Sequence, residues 1–256
     1  MCYRLNLIKK KILTDKLSGN LSENRKHCLC IIKIFIDRKW IKLLLTLARI
    51  LKIKQRAQAA LERYLVNKIA ENNPRSLKVV QTLSYWLLDY VKMLGYEDAT
   101  VPMVFKKYKR GDVIKANFGH RIGSEQGGLH YAIVIDVNNS QKSNVLTVIP
   151  LTSVKPNVDL NKLGNNRLYI GDEIYKAIIA KLNKIPNSDP SKKGLVKEYN
   201  RLKIGSIALV GQITTISKYR LYDPLSTSNV LHGIKVSDAT LNNLDSKIKE
   251  LFTKSN

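Results

Sequence analysis

The chain has 256 residues, 44% of them apolar, which suffices to bury a core and excludes a disordered chain. Its 44 Lys and Arg against 20 Asp and Glu leave a formal charge of +24, a surplus that draws in polyanions, nucleic acid before an anionic membrane surface. Three cysteines, Cys2, Cys28 and Cys30, all lie near the start, which argues against a disulfide scaffold and fits a reducing, cytoplasmic compartment.

The charge is densest at the beginning, with 14 Lys and Arg against 3 Asp and Glu in residues 1–54. No signal peptide is expected, because the short apolar patches are interrupted by Lys and lack a small-residue cleavage site. His27-Cys28-Leu29-Cys30 has the look of half a zinc site, but no second pair of ligands exists, so neither metal nor cofactor is expected. Residues 28–53 are the most hydrophobic stretch, broken by Lys33, Asp37, Arg38, Lys39, Lys42 and Arg49. That excludes a membrane span, which needs about 20 mostly apolar residues, and leaves a surface-lying basic amphipathic helix as the membrane alternative.

Residues 40–70 carry apolar side chains at three- and four-residue steps and predict a long helix, broken by Asn72-Asn73-Pro74. Residues 76–94 predict a second helix, capped by Ser76 and closed by Gly95, with residues 95–104 as a linker. Strand rhythm then takes over. The expected organisation is a basic helical N-terminal extension, 1–104, and a second domain, 105–256.

In the second domain, residues 111–119 alternate with period two, and residues 129–137 form a strand whose continuous apolar centre implies cover on both faces. A turn at Asn138-Asn139-Ser140 leads to a returning strand, 144–152. A short strand at 167–171, a helix from Asp172, an exposed loop at 186–194, one or two strands within 205–217 and a terminal helix capped by Ser237 or Asp238 complete the list. Short strands with attached helices predict an α+β fold built on a small, strongly bent barrel.

The loop Gly123–Gly128, Gly-Ser-Glu-Gln-Gly-Gly, is too long for a tight hairpin. Its composition suits either a solvated connection or a ligand-binding loop. Gly123, Gly127 and Gly128 expose backbone N–H groups to an approaching anion, Ser124 and Gln126 add neutral donors, and Arg121 adds a planar cation suited to phosphate. The Gly-x-x-x-x-Gly-Lys phosphate loop is absent.

The blocks "RGDVIKANFG", "GSEQGGLHYAIVI", "LTVIPLTS" and "GQITTISKYRL", in this order, resemble the MazF/PemK family of toxin–antitoxin endoribonucleases over about residues 108–250. The resemblance implies a compact SH3-like (CcdB/PemK-type) barrel with helices, acting as a homodimer and neutralised by a small acidic antitoxin. It also implies metal-independent cleavage of single-stranded RNA through the substrate's own 2′-hydroxyl, leaving a 2′,3′-cyclic phosphate and a 5′-hydroxyl. The first hundred residues have no counterpart in compact members.

Such a reaction needs a base for the hydroxyl proton, an acid for the leaving oxygen and donors for the phosphate charge. Where the family carries an arginine, two residues after the loop's second Gly, this chain has His130; the family's threonine is present as Thr152, with Ser153 beside it. An imidazole exchanges protons near neutrality, as an arginine does not, so His130 is the candidate base or acid, and Glu125 is the other candidate proton acceptor. Gln212 matches a family glutamine and is placed to read a base edge, while the preceding family acid is Gly211 here. His120 and His232 read as loop histidines, and Tyr108 and Tyr131 as packing residues more than base-stacking ones. The helical extension either adds RNA affinity through its charge or packs on the barrel and modulates access. The competing functions are a non-catalytic nucleic-acid-binding module and a gyrase-inhibiting toxin of the same fold.

Overall fold

The computed structural model describes residues 38–98 and 105–254. The three cysteines, the His27–Cys30 cluster and most of the expected linker lie outside them. The chain divides at Asn73/Pro74 into two compact units. The first contains α1 (Arg38–Ala70), 33 residues whose described side chains are almost all exposed. It stops where Asn72 turns to a φ of 44°, just ahead of Pro74.

The second unit opens with α2 (Pro74–Glu97). Pro74 takes the first helical position, where its fixed φ and missing N–H cost nothing. Ser76 is therefore not the cap but a buried residue of the first turn. Gly95 does not close the helix, which runs through it to Glu97. The composition change near residue 105 is thus not where the compact units part: α2 groups with the strands.

Seven antiparallel strands follow: β1 (Val113–Asn117), β2 (Leu129–Val134), β3 (Val145–Ser153), β4 (Leu168–Tyr169), β5 (Ser206–Ala208), β6 (Thr214–Ser217) and β7 (Leu221–Asp223). Their order is β4-β5-β3-β2-β1-β7, with β6 also pairing β3. Nine-residue β3 organises the sheet: it pairs β2 through Ala132↔Pro150, β6 through Val148↔Thr214 and β5 through Leu151↔Ala208. The fold is α+β and consistent with a PemK-type fold, but the barrel is not closed. β6 passes into β7 through a 3-10 turn, Lys218–Arg220, without a ladder between them among the described residues.

Both faces of the sheet are covered, and period-two alternation sorts the side chains. Ile114, Ala116, Ala132, Val134, Leu146 and Val148 meet inside the curl, closed by Tyr108. Val113, Tyr131, Ile133, Ile149 and Leu151 point outward to α3 (Glu173–Leu182), α4 (Pro190–Tyr199) and α5 (Asp238–Phe252). The expected exposed loop at 186–194 is corrected here. Asp189 accepts from Ser191 N as an N-cap, Pro190 occupies the first turn, and α4 buries Tyr199 against the outer core. The Ser237 cap of α5 is present. Tyr108 and Tyr131 are 2% and 3% exposed, which makes both packing residues.

Arg110-Gly111-Asp112 has a structural task. Arg110 donates to the Ile135 carbonyl and to Asp245 of α5, and Asp112 accepts from Lys109 N, so the motif fixes where β1 enters the sheet.

Candidate active site

The glycine-rich loop is zipped at its base rather than splayed. Phe118 N donates to Gly128 O at 2.9 Å and Gly128 N to Gly119 O at 2.7 Å. The arms approach so closely that a Cβ on Gly127 would lie 2.7 Å from Arg121 Cβ and 2.9 Å from both Arg121 N and Gly119 O. No side chain fits there, which is the physical need for that glycine. Further out, Glu125 accepts from Ile122 N at 3.0 Å and shapes the tip. Gln212, on the 3-10 turn between β5 and β6, accepts from Gln126 N at 2.6 Å and donates to Ser124 O at 3.2 Å. The loop is thereby a pinned wall with a cavity on each side, and Gln126 lines both.

The first cavity, about 650 Å³, brings together His130, Thr152, Arg121 and His120. Its opposite wall is α2, which contributes Arg75, Lys78, Thr82, Tyr85, Trp86 and Asp89, residues three or four apart and hence on one helical face. Asp89 accepts from Asn117 Nδ2 at 3.2 Å and Tyr222 OH at 2.8 Å, tying α2 to β1 and β7. The Arg220 guanidinium lies 5.0 Å from the Trp86 ring centre. A Cβ on Gly119 would stand 3.1 Å from Trp86 Cζ2, so the loop base also rests against α2.

His130 pairs with Ala116 on the inner face of the sheet, the parity of Ala132 and Val134. Its Nδ1 lies 3.3 Å from the Leu151 carbonyl oxygen. A carbonyl only accepts, so Nδ1 carries the hydrogen, and a neutral ring then presents a lone pair at Nε2. Burial pulls its pKa below the ordinary 6.5, with the charges of Arg201 and Arg121 acting the same way and the Leu151 carbonyl opposing them. Thr152 has the same inward parity on β3. Ser153, one residue on, has the outward parity, pairs with Ser206 and lines neither cavity.

The second cavity, about 760 Å³, is lined by Ser124, Glu125, Gln212, Thr214, Ser217 and Arg220 among others. The eight residues singled out in the sequence are therefore divided: His130, Thr152 and Arg121 in one cavity, Ser124, Glu125 and Gln212 in the other, Gln126 between, Ser153 in neither. Gly211, where the family carries an acid, sits against Asn166, whose Cβ would be 2.8 Å from a Cβ at that position. From the sequence, packing of the helical extension on the barrel stands as one of two alternatives, without α2's cavity-facing residues being named, and His120 has no role beyond the loop. The three- and four-residue spacing of polar and aromatic side chains in α2 was the available signal.

Among the described residues no three His, Cys, Asp or Glu side chains converge as a metal site, and no helix is long and apolar enough to cross a membrane. Residues 109–166 match the family model of PemK-like, MazF-like toxins of type II toxin–antitoxin systems. The matched segment contains β1, the glycine-rich loop, β2 and β3, and hence His130 and Thr152, but under a quarter of the chain. It ends before the Gln212 block, whose likeness to the family rests on the quoted residues alone. No curated protein matches the chain.

Proposed function

We propose that this protein is a toxin-type endoribonuclease that cuts single-stranded RNA, mRNA in the cytoplasm, by attack of a 2′-hydroxyl on the adjacent phosphate. The observation that carries the reading is the state of His130: neutral through burial, with Nδ1 committed to the Leu151 carbonyl and Nε2 available, in a cavity that also holds cations. Nε2 takes the 2′-hydroxyl proton as the O2′–P bond forms and the P–O5′ bond breaks. Arg121 and the Thr152 hydroxyl donate to the phosphate oxygens as charge gathers there. His120, the second imidazole of the cavity, hands a proton to the departing 5′-oxygen. The products are a 2′,3′-cyclic phosphate and a 5′-hydroxyl, and no step calls for a metal.

The second cavity, with its hydroxyls and amides, suits base selection by Ser124 and Gln126. Glu125 is assigned to loop shape rather than to proton transfer, because its carboxylate accepts from Ile122 N on the far side of the loop from His130. A homodimer, and an acidic antitoxin segment competing with RNA for the cationic cavity, belong to the same proposal.

The test is incubation with long single-stranded RNA and EDTA across pH 6–8, followed by analysis of the ends. Cyclic phosphate termini support the enzyme. Shifted bands without cleavage favour a non-catalytic binder. Intact RNA with wild type, and cutting restored by His130→Arg, ends the claim for the native chain.

A further inference from the structure

The cavity-facing stripe of α2 has no role in the chemistry just described, yet it carries three side chains without a hydrogen-bond, ion-pair or ring partner among the described residues. The Arg75 and Lys78 side chains line the cavity and make no ion pair or hydrogen bond among the described residues; the Lys78 backbone carbonyl accepts from Thr82 Oγ1. They sit three apart on one helix, where like charges repel, so the arrangement costs stability unless an anion comes between them. Tyr85, on the same face, is 63% exposed and stacks on no other ring among the described residues. Its neighbour Trp86 is different in kind: Arg220 covers its ring and Gly119 abuts its edge, so it is a docking residue of α2.

Two unneutralised cations and a free aromatic face in one groove are the combination that single-stranded nucleic acid requires. Cations follow its phosphates, and rings accept its bases whatever their identity. We propose that Arg75, Lys78 and Tyr85 form an RNA subsite: the cations hold phosphates flanking the scissile one and Tyr85 stacks an adjacent base. The strand then lies between α2 and the glycine-rich loop, with the reacting phosphate at His130. This rests on single-stranded RNA being the substrate. It gives α2 a positive role in binding, where an occluding helix would only obstruct.

The test measures binding of a mixed-sequence 2′-O-methyl RNA oligonucleotide, which cannot be cut, against salt concentration. Wild type is compared with Arg75→Ala/Lys78→Ala, Tyr85→Ala and Tyr85→Phe, each checked for unchanged circular dichroism, and cleavage of unmodified RNA is followed in parallel. The slope of log affinity against log salt should fall by roughly 0.7 for each cation removed. Tyr85→Ala should weaken binding about 5- to 150-fold, and Tyr85→Phe, which keeps the ring, should bind as wild type does. If wild type cuts RNA while all variants bind with its affinity and slope, the subsite is overturned and the enzyme stands. If wild type binds with the variants affected as stated but does not cut, the subsite stands and the enzymatic reading falls. If wild type neither binds nor cuts, both fall.

Discussion

The two cavities flanking the glycine-rich loop share a wall but not a chemistry. One gathers His130, His120, Arg121, Arg75 and Lys78, and its acid, Asp89, is engaged by Asn117 and Tyr222. The other is lined by hydroxyls and amides, with Glu125 facing the loop backbone and Arg220 stacked on Trp86. The first gathers two imidazoles and three cations, whereas the second, with Arg220 as its one cation among the described residues, is richer in groups that distinguish hydrogen-bonding edges. On the proposed function the loop separates reaction from recognition, and substitutions on its two sides should fail differently.

The largest effect belongs to His130. His130→Ala should lower kcat by ~10²–10⁴-fold, the usual contribution of a general base, with little change in RNA affinity. The direction of its pKa shift fixes the acidic limb of the pH profile. The base acts when neutral, so that limb lies below the ordinary 6.5. The same shift means that the unfolded chain binds the extra proton first, so this residue's contribution to stability also declines as pH falls below 6.5. An acidic limb centred above 6.5 in kcat/KM would break the assignment.

His120→Ala should cost less, about 10²-fold on RNA, because proton donation to the leaving oxygen can be partly replaced by water. A uridine 3′-(p-nitrophenyl phosphate) substrate, whose leaving group needs no proton, separates a donor from a structural residue. The variant should turn it over nearly as wild type does, whereas His130→Ala should remain impaired on it. Equal losses on both substrates would remove His120 from the reaction.

Gly127→Ala tests the shared wall. The new methyl group meets Arg121 N and Gly119 O, backbone atoms that cannot swing aside, so the arms must part. Overpacking of this kind costs about 1–3 kcal/mol, measurable by denaturant unfolding, and cleavage should drop with it because Arg121 is displaced.

How much of this was legible in the sequence follows from what each element depends on. β1, the loop, β2 and β3 declare themselves by local alternation, and the same alternation puts His130 and Thr152 on one face. It also excludes Ser153, a deduction the sequence allowed. What could not be read locally was set by distant packing. The pattern Asp189-Pro190 suits a turn as well as a helix start, and only burial of Tyr199 against the outer core selects the helix. β7 has three residues and exists because β1 offers an edge. α2 looked like part of the extension because it is helical like α1, although its net charge is only +1 against +8 for α1. Yet the described side chains of α1 are exposed nearly throughout, while α2 presents one face to the His130 cavity.

The smallest effect, and the sharpest for the comparison, is at Gln212. Its carboxamide holds Gln126 N and Ser124 O, so both ends are occupied by the loop in the free protein. Gln212→Ala removes two partly solvated hydrogen bonds, each worth about 0.5–1.5 kcal/mol at most. The expected result is a several-fold rise in KM with kcat kept, together with faster amide exchange at Gln126. Gln212→Glu should be intermediate, since a carboxylate still accepts from Gln126 N but no longer donates to Ser124 O. A base-reading glutamine would behave otherwise: Gln212→Ala would shift the cleaved sequence and leave exchange at Gln126 untouched. That outcome would make the second cavity's floor, rather than its loop wall, the place where bases are chosen.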